Sequence, residues 1–246
     1  MALTHSALYS FIALPHHRQS FPNVPSLHTN SSNDCFTPAE RRLIRRLRTP
    51  ADVQRFLNRL PYNTEPDGDT LRSFREVVRH GTTHCLEAAL AAACILEQHG
   101  YPPLLLGLES VDGLDHVVFV YRQDGRWGSV ARSRDPGLHG RKPAFRSLRA
   151  LAESYFDPYI DATGCITGYS VVNLKVMGRY DWRFSPRNVW AVERMLLALP
   201  HRKISRSKQR VRRERERYRH YLATHKKKPL YYRGRDKWSE IPAHFL

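Results

Sequence analysis

An alanine-rich segment between two glycines constrains the fold of this chain more than any other feature. It runs from Gly81 to Gly100, reads GTTHCLEAALAAACILEQHG, and has alanine at positions 88, 89, 91, 92 and 93. Small side chains on every side make a helix thin, and a thin apolar helix is typical of one buried against close neighbours. Gly100 and the two prolines that follow it end the helix. We therefore predict a central buried helix over about residues 84–99.

Capping and turn residues predict the elements around this helix. Residues 37–40 (TPAE) and 49–52 (TPAD) each combine a capping threonine, a proline at the first helical position and an acid at the third. Asp124–Gly125 is typical of a two-residue hairpin turn. The predicted helices cover 38–48, 50–59, 69–80, 147–155 and 185–199, the last two beginning at Ser147 and Ser185. The predicted strands lie at 104–109, on both sides of Asp124–Gly125 and at 168–177. This order indicates an α+β fold, with the central helix packed on an antiparallel sheet and flanked by helices.

The positive charge is concentrated near the C-terminus. The formal net charge is +17, and residues 201–246, with 16 Lys and Arg against 4 Asp and Glu, carry +12 of it. Residues 1–36 are rich in Ser, Pro, His and Asn and show no period. We predict disorder over 1–36, a folded domain over 37–200 and a partly helical basic tail over 201–246.

The basic tail has two interpretations. Aromatic residues interleave its cations and could stack on bases while Arg and Lys meet phosphates, which predicts binding of nucleic acid or another polyanion through residues 202–246. The other interpretation is a solvated basic surface, or a tail docked on its own domain. The aromatic residues are Tyr218, Tyr221, Tyr231, Tyr232 and Trp238.

Cysteine usage and hydropathy predict a cytoplasmic protein. Four cysteines, at 35, 85, 94 and 165, are too few for a disulfide framework in 246 residues. No apolar run is long enough to predict a membrane span, and the N-terminus has neither the charge nor the apolar stretch of a secretory signal. The cysteines and histidines lack zinc-ligand spacing, so no metal or cofactor is predicted.

Cys85 is the strongest candidate for a nucleophile. It lies in the first turn of the predicted central helix, where free N–H groups and the helix dipole stabilise a thiolate. The preceding Gly81, Thr82 and Thr83 are small enough to let a substrate approach. The alternative is a small core residue in an alanine-rich helix, the role expected for Cys94.

His116 is the predicted base. A two-residue turn at Asp124–Gly125 pairs Gln123 with Arg126, and the same register places His116 opposite Ser133. Since side chains alternate along a strand, Ser133 and Asp135 share the face of His116, and either could orient its ring.

These segments resemble the transglutaminase-like superfamily of papain-like cysteine enzymes. In that family a cysteine opens a helix that ends in a Gly-[IY]-Pro turn, and a histidine begins a hairpin with an Asp-Gly-Arg-Trp turn. The matching segments here are HCLEAALAAACILEQHGYPPLLL and HVVFVYRQDGRWGSVA, within about residues 71–134. SYFDPY at 154–159 resembles a segment of an uncharacterised bacterial-type branch of the superfamily. The chain departs from the pattern at Ala131, where the family has an aspartate, so Ser133 or Asp135 must take its place.

The resemblance implies attack by the Cys85 thiolate on a peptide or protein amide, with His116 as base and then acid. A thioester would form and be resolved by water or by an amine. The Cys85 N–H would be one oxyanion donor, and Tyr62 or Asn63 the second. The competing hypothesis is a scaffold of the same fold without turnover that binds a polyanion through its tail.

Overall fold

The computed structural model describes residues 35–113, 115–161 and 163–224. Its helices are α1 (Pro38–Arg46), α2 (Pro50–Arg59), α3 (Phe74–His80), α4 (Cys85–Glu97), α5 (Leu148–Glu153), α6 (Phe156–Tyr159), α7 (Trp190–Leu197) and α8 (Lys208–Thr224). Its strands are β1 (Leu104–Ser110), β2 (His116–Gln123), β3 (Arg126–Val130), β4 (Arg141–Phe145), β5 (Ile166–Asn173) and β6 (Arg202–Lys203). Disorder was predicted for residues 1–36, and residues 1–34 lie outside the described part of the chain. Phe36, by contrast, is buried in the core and 3% exposed.

The six strands form one antiparallel sheet in the order β4-β3-β2-β1-β5-β6. Alternation along β2 sends Val117 and Phe119 to one face and Val118 and Val120 to the other. The first face packs against α4, within a core that also takes in α1, α2, α3 and α7. The second face packs against α5 and α6. The predicted α+β class is confirmed.

The alanine-rich helix α4 is the centre of the larger core. All eleven residues from Leu86 to Leu96 are buried, and the ten from Glu87 to Leu96 are 0% exposed. The alanines let α4 lie close to the sheet and to α2 and α3 at once. A helix held in this way fixes the position of its first residue, Cys85.

Two predicted helices begin later than their sequence suggested. Helix α3 begins at Phe74 with Ser73 as its cap, not at Asp69, and α7 begins at Trp190, not at Ser185. The residues before both helices bond to each other: Leu71 N–H donates to the Asn188 side chain at 3.0 Å and the Ser73 hydroxyl donates to the Ser185 carbonyl at 2.8 Å. The predicted strand at 168–177 is also shorter, because residues 174–177 form a 3-10 turn.

Part of the basic tail packs on the domain. Ile204 and Tyr218 are both 4% exposed and belong to the buried residues. Arg210 forms an ion pair with Asp157 of α6, and Arg206 lies over the Phe156 ring at 5.2 Å. Residues 201–224 therefore extend the folded domain, whereas 225–246, with Tyr231, Tyr232 and Trp238, lie outside the described residues. Among the helices that are described, none is long and apolar enough to cross a membrane.

Candidate active site

Cys85 is the first residue of α4 and is partly exposed. The helix start is fixed by Glu87, a fully buried side chain (0% exposed) whose carboxylate accepts the His84 N–H at 3.1 Å and the Arg72 N–H at 3.0 Å. Asn63 and Thr70 also donate to this carboxylate. The N–H of Cys85 itself donates to no acceptor among the described residues, as expected for the first turn of a helix.

His116 begins β2 and is 3% exposed. The ladder between β2 and β3 has the predicted pairing of Gln123 with Arg126, but it ends at Phe119 and Val130, so His116 is not paired with Ser133. The reason lies at Ala131: its N–H donates to the Gln54 side-chain oxygen at 2.9 Å and its carbonyl accepts from the Gln54 amide at 2.8 Å. A glutamine of α2 thus replaces β2 as the partner of this peptide, and the chain turns away from the sheet.

The acceptor for the His116 ring is a main-chain carbonyl. Its Nε2 lies 2.9 Å from the Leu138 oxygen, a position for which the sequence predicted Ser133 or Asp135. Those two residues shape the turn that carries this carbonyl: the Ser133 hydroxyl accepts the Asp135 N–H at 3.2 Å and the Asp135 carboxylate accepts the Gly137 N–H at 2.9 Å. A carbonyl on Nε2 makes this nitrogen the donor and leaves Nδ1 for the thiol.

Arg141 supports the same turn from inside the protein. It is 1% exposed, its guanidinium donates to the Gly137 oxygen at 2.6 Å and to the His139 oxygen at 2.6 Å, and it lies 4.1 Å from the centre of the Tyr155 ring. The Tyr155 ring also packs edge-on against His116, with centroids 5.8 Å apart. The SYFDPY segment therefore provides one wall of the histidine site.

His84 is a second histidine at the thiol, and the sequence analysis did not predict its role. Its Nε2 donates to the Thr70 carbonyl at 3.0 Å and lies 3.5 Å from the Glu87 carboxylate and 3.8 Å from that of Glu65. Burial opposes the charged form, but the hydrogen bond and the negative charge of Cys85, helped by Glu87 and Thr70, raise the pKa of His84 to about 9.

The two histidines together ionise the thiol. Burial opposes this ionisation, but hydrogen bonds and positive charge from His116 and His84 outweigh burial and lower the pKa of Cys85 from 9.0 to about 5. The helix N-terminus acts in the same direction. Cys85, His116 and His84 thus lie close enough to interact electrostatically, and the pairing of Cys85 with His116 as nucleophile and base stays a prediction.

Of the two predicted oxyanion donors, Tyr62 interacts electrostatically with the thiol, whereas the Asn63 side chain bonds to Thr70 and Glu87. Tyr62 forms a parallel bridge with Thr83, two residues before Cys85. Burial raises the pKa of Tyr62 most, and the negative charge of Cys85 raises it further. The Asn63 amide donates to Thr70 at 2.8 Å and to Glu87 at 3.2 Å, and its N–H donates to Thr83, so its donors are committed to holding the helix start.

Comparisons with protein families and curated proteins give no basis for assigning a function to the site, so its function is inferred from its chemistry. No family model matches the chain, and no curated protein matches it significantly. Within 35–113, 115–161 and 163–224, no three His, Cys, Asp or Glu side chains form a group that could hold a metal ion. The arrangement that these residues do form is a thiolate beside two imidazoles, which is suited to nucleophilic attack.

Proposed function

We propose that this protein is a cysteine-dependent amide hydrolase or acyl transferase of transglutaminase-like type. One observation carries the proposal: the Cys85 thiol lies at a helix start, where His116 and His84 outweigh burial and lower its pKa to about 5, and the His116 ring is held at Nε2 by the Leu138 carbonyl. A nucleophile, a base and a group that orients the base are the parts that thiol acyl transfer requires. A buried helix packed on an antiparallel sheet, with the cysteine at its start, supports a papain-like form of the α+β fold.

The proposed reaction uses a peptide or protein amide and proceeds through a thioester. The Cys85 sulfur adds to the amide carbonyl carbon, and the charge on the oxygen is met by the Cys85 N–H and by Tyr62. The C–N bond breaks as the amine leaves with a proton from His116. Water or a second amine then adds to the thioester carbonyl and gives a proton to His116, and the C–S bond breaks to restore the thiolate. Water releases an acid, and an amine forms a new amide.

The test is acylation of Cys85 by an activated ester. With p-nitrophenyl acetate we expect a burst of nitrophenol and an acetyl group on Cys85 that mass spectrometry locates. Cys85→Ser should abolish the burst. Cys165→Ser is the matched control, because Cys165 is also partly exposed but burial raises its pKa. Adding a primary amine then separates transfer from hydrolysis, since only a transferase yields the acetylated amine faster than the uncatalysed reaction.

Two results would contradict the proposal. One is a burst of the same size in Cys85→Ser as in the native protein. The other is an acylation rate in His116→Gln that equals the native rate across the pH range, because the imidazole would then take no part in activating the sulfur.

Binding of a polyanion by the tail is a second candidate function. Arg212 and Arg219 project from the exposed face of α8, which supports it, while the buried Tyr218 is not available for stacking. A cut after residue 224 keeps the docked part of the tail and removes residues 225–246. We expect this cut and added salt each to weaken binding of single-stranded nucleic acid, and binding that neither affects would exclude the tail as the binding segment.

A further inference from the structure

We propose that the site selects acidic peptides, in which a carboxylate lies next to the reacting acyl group, and that Arg132 and Arg134 recognise this carboxylate. The proposal rests on the proposed thiol chemistry of Cys85 and names its substrate class. Its starting observation is two guanidinium groups on one aromatic ring: the Arg134 and Arg132 Cζ atoms lie 5.7 Å and 5.9 Å from the centre of the Tyr62 ring.

The Tyr62 ring places these arginines beside the nucleophile. The Thr83 N–H donates to the Pro61 carbonyl at 3.2 Å and the Asn63 N–H donates to the Thr83 carbonyl at 3.1 Å. Tyr62 is thus held alongside Thr83, two residues before Cys85. Burial raises the pKa of Tyr62 most, followed by the negative charges of Cys85 and Glu65, and the charges of Arg134 and Arg132 lower it. Tyr62 therefore lies within electrostatic reach of both the thiol and the two arginines.

Neither arginine is neutralised by a carboxylate in the described structure. No Asp or Glu oxygen among the described residues lies within 4.0 Å of the Arg132 or Arg134 guanidinium. Arg132 is held by neutral acceptors, the Leu60 carbonyl at 3.2 Å and the Ser133 carbonyl at 2.5 Å. The carboxylates nearest the site already have cationic partners: Glu87 lies near Arg72 and His84, and Glu65 near His84.

The chemistry of the pair favours a carboxylate. The Arg134 guanidinium presents its N–H donors as a planar fork, which fits the two oxygens of a carboxylate. The Arg132 donors already bond to the Leu60 and Ser133 carbonyls, so Arg132 contributes its positive charge. Arg132 is half-buried and held in place, and Arg134 is exposed. A bound carboxylate would therefore interact with the fixed charge of Arg132 and with the Arg134 side chain, which is free to change its rotamer. Partly desolvated cations without counter-ions interact more strongly with an anion than exposed surface pairs do.

The test compares two alkylating reagents that differ in charge but not in the reacting carbon. Iodoacetate carries a carboxylate next to that carbon and iodoacetamide carries a neutral amide. The measured quantity is the ratio of their rate constants at Cys85, followed by site-resolved mass spectrometry. We expect Arg134→Gln to lower the iodoacetate-to-iodoacetamide ratio about 3-fold, and Arg134→Glu to lower it about 10-fold, both less at high salt.

Arg122→Gln is the matched control. Arg122 is also exposed and lies over an aromatic ring, 6.0 Å from the centre of Trp127. It is six residues from His116 along β2, or about 20 Å at the rise of a strand. Arg134→Gln and Arg122→Gln each remove one positive charge from the protein. A difference between their reagent ratios therefore reports the position of the charge relative to Cys85, not the net charge.

The outcomes separate this proposal from the proposed function. An equal fall in the ratio for Arg134→Gln and Arg122→Gln, or no fall in either, overturns the selection of acidic substrates. A Cys85 that reacts with iodoacetamide no differently from a free thiol of ordinary pKa contradicts the nucleophile, while the ratio between reagents still reports the local field.

Discussion

Replacing either histidine should raise the pKa of Cys85, and the pH profile of alkylation should show it. Burial resists ionisation of this thiol, yet His116 and His84 bring its pKa from 9.0 to about 5. The two histidines also outweigh burial, so together they lower the pKa by more than this difference. If they contribute equally, removing one raises the pKa by at least about two units, to about 7 or above. The substitutions are His116→Gln and His84→Gln, which keep a polar side chain of similar size and remove the imidazole.

An alkylation rate measured at a single pH would not reveal the change in the pKa of Cys85. At pH 7 a thiol with a pKa of about 5 is about 99% ionised, but its thiolate is also the weaker nucleophile. With a Brønsted slope of about 0.45, two units of pKa change intrinsic reactivity about 8-fold. We therefore expect each variant to react at least about 3-fold more slowly than the native protein near pH 5.5 and at least about 8-fold faster near pH 8.5. The two profiles should cross near pH 6.

The assay is alkylation by iodoacetamide between about pH 4 and pH 10, with the label located by mass spectrometry. Cys94 is the internal control, because burial raises its pKa and it is 0% exposed, so it should stay unlabelled. A native midpoint near 8.5 would refute the reasoning, because it is the value of an unperturbed thiol. Variant and native profiles that superimpose would refute it too.

The same titrations define a pH window for the charged pair. The pKa of Cys85 is lowered to about 5, so the thiolate is present above that pH and is lost as the pH falls through it. The pKa of His84 is raised to about 9, so its imidazolium is present below that pH and is lost as the pH rises through it. The pair is therefore charged between about pH 5 and 9, and these limits belong to the pair jointly.

Three further predictions concern the elements that hold the site. Glu87→Ala should lower the free energy of unfolding by about 3 kcal/mol in urea titrations, because one buried and three part-buried donors lose their acceptor. A loss below about 1 kcal/mol would contradict this role. Gly140→Ala should destabilise the protein by about 2 kcal/mol and slow alkylation of Cys85 near pH 5.5, because its methyl group would collide with the Gln54 side chain and the Ser129 carbonyl; native values for both would show that the turn can move. Deleting residues 202–246 should lower the melting temperature, since it removes the buried Ile204 and Tyr218, whereas deleting 225–246 should change it little; equal effects would place the loss outside residues 202–224.

The elements that sequence predicts well are those decided by local chemistry. Both capping boxes form, with the Thr37 and Thr49 hydroxyls each accepting an N–H three residues on. The Asp124–Gly125 turn sets the predicted pairing of Gln123 with Arg126. Each of these features depends on residues within four positions of one another, so tertiary contacts need not be known.

The elements that sequence misplaces are those decided by distant partners. Residues 69–73 satisfy helical pattern rules, but they extend towards Glu87 and the segment before α7, where Thr70, Leu71 and Ser73 find hydrogen-bond partners. Strand β4 was not predicted, because Pro143 argues against a central strand; β4 is an edge strand, where proline is tolerated. The His116 acceptor was misplaced for a related reason, since nothing near Ala131 in sequence indicates that Gln54 will bind its peptide.

His84 was missed because neighbouring residues in a helix do not normally face one another. Its backbone is extended, with φ −96° and ψ −175°, because it is the cap residue and not part of the helix. This geometry lets its ring turn back beside Cys85, and the Thr70 carbonyl holds it there. A histidine at the cap position before a candidate thiolate is the sequence feature that could have revealed it.

The two cysteines of α4 show that position along the helix, and not residue type, decides the chemistry. Both are in the same alanine-rich helix, nine residues apart. At Cys94 burial prevails and raises the pKa of the thiol. At Cys85 burial opposes ionisation as well, but the helix start brings unpaired N–H groups and two imidazoles to the sulfur, and the pKa falls. The tightly packed alanines that bury Cys94 also keep the start of α4 from shifting. The same packing therefore keeps the Cys94 thiol protonated and keeps Cys85 beside its two histidines.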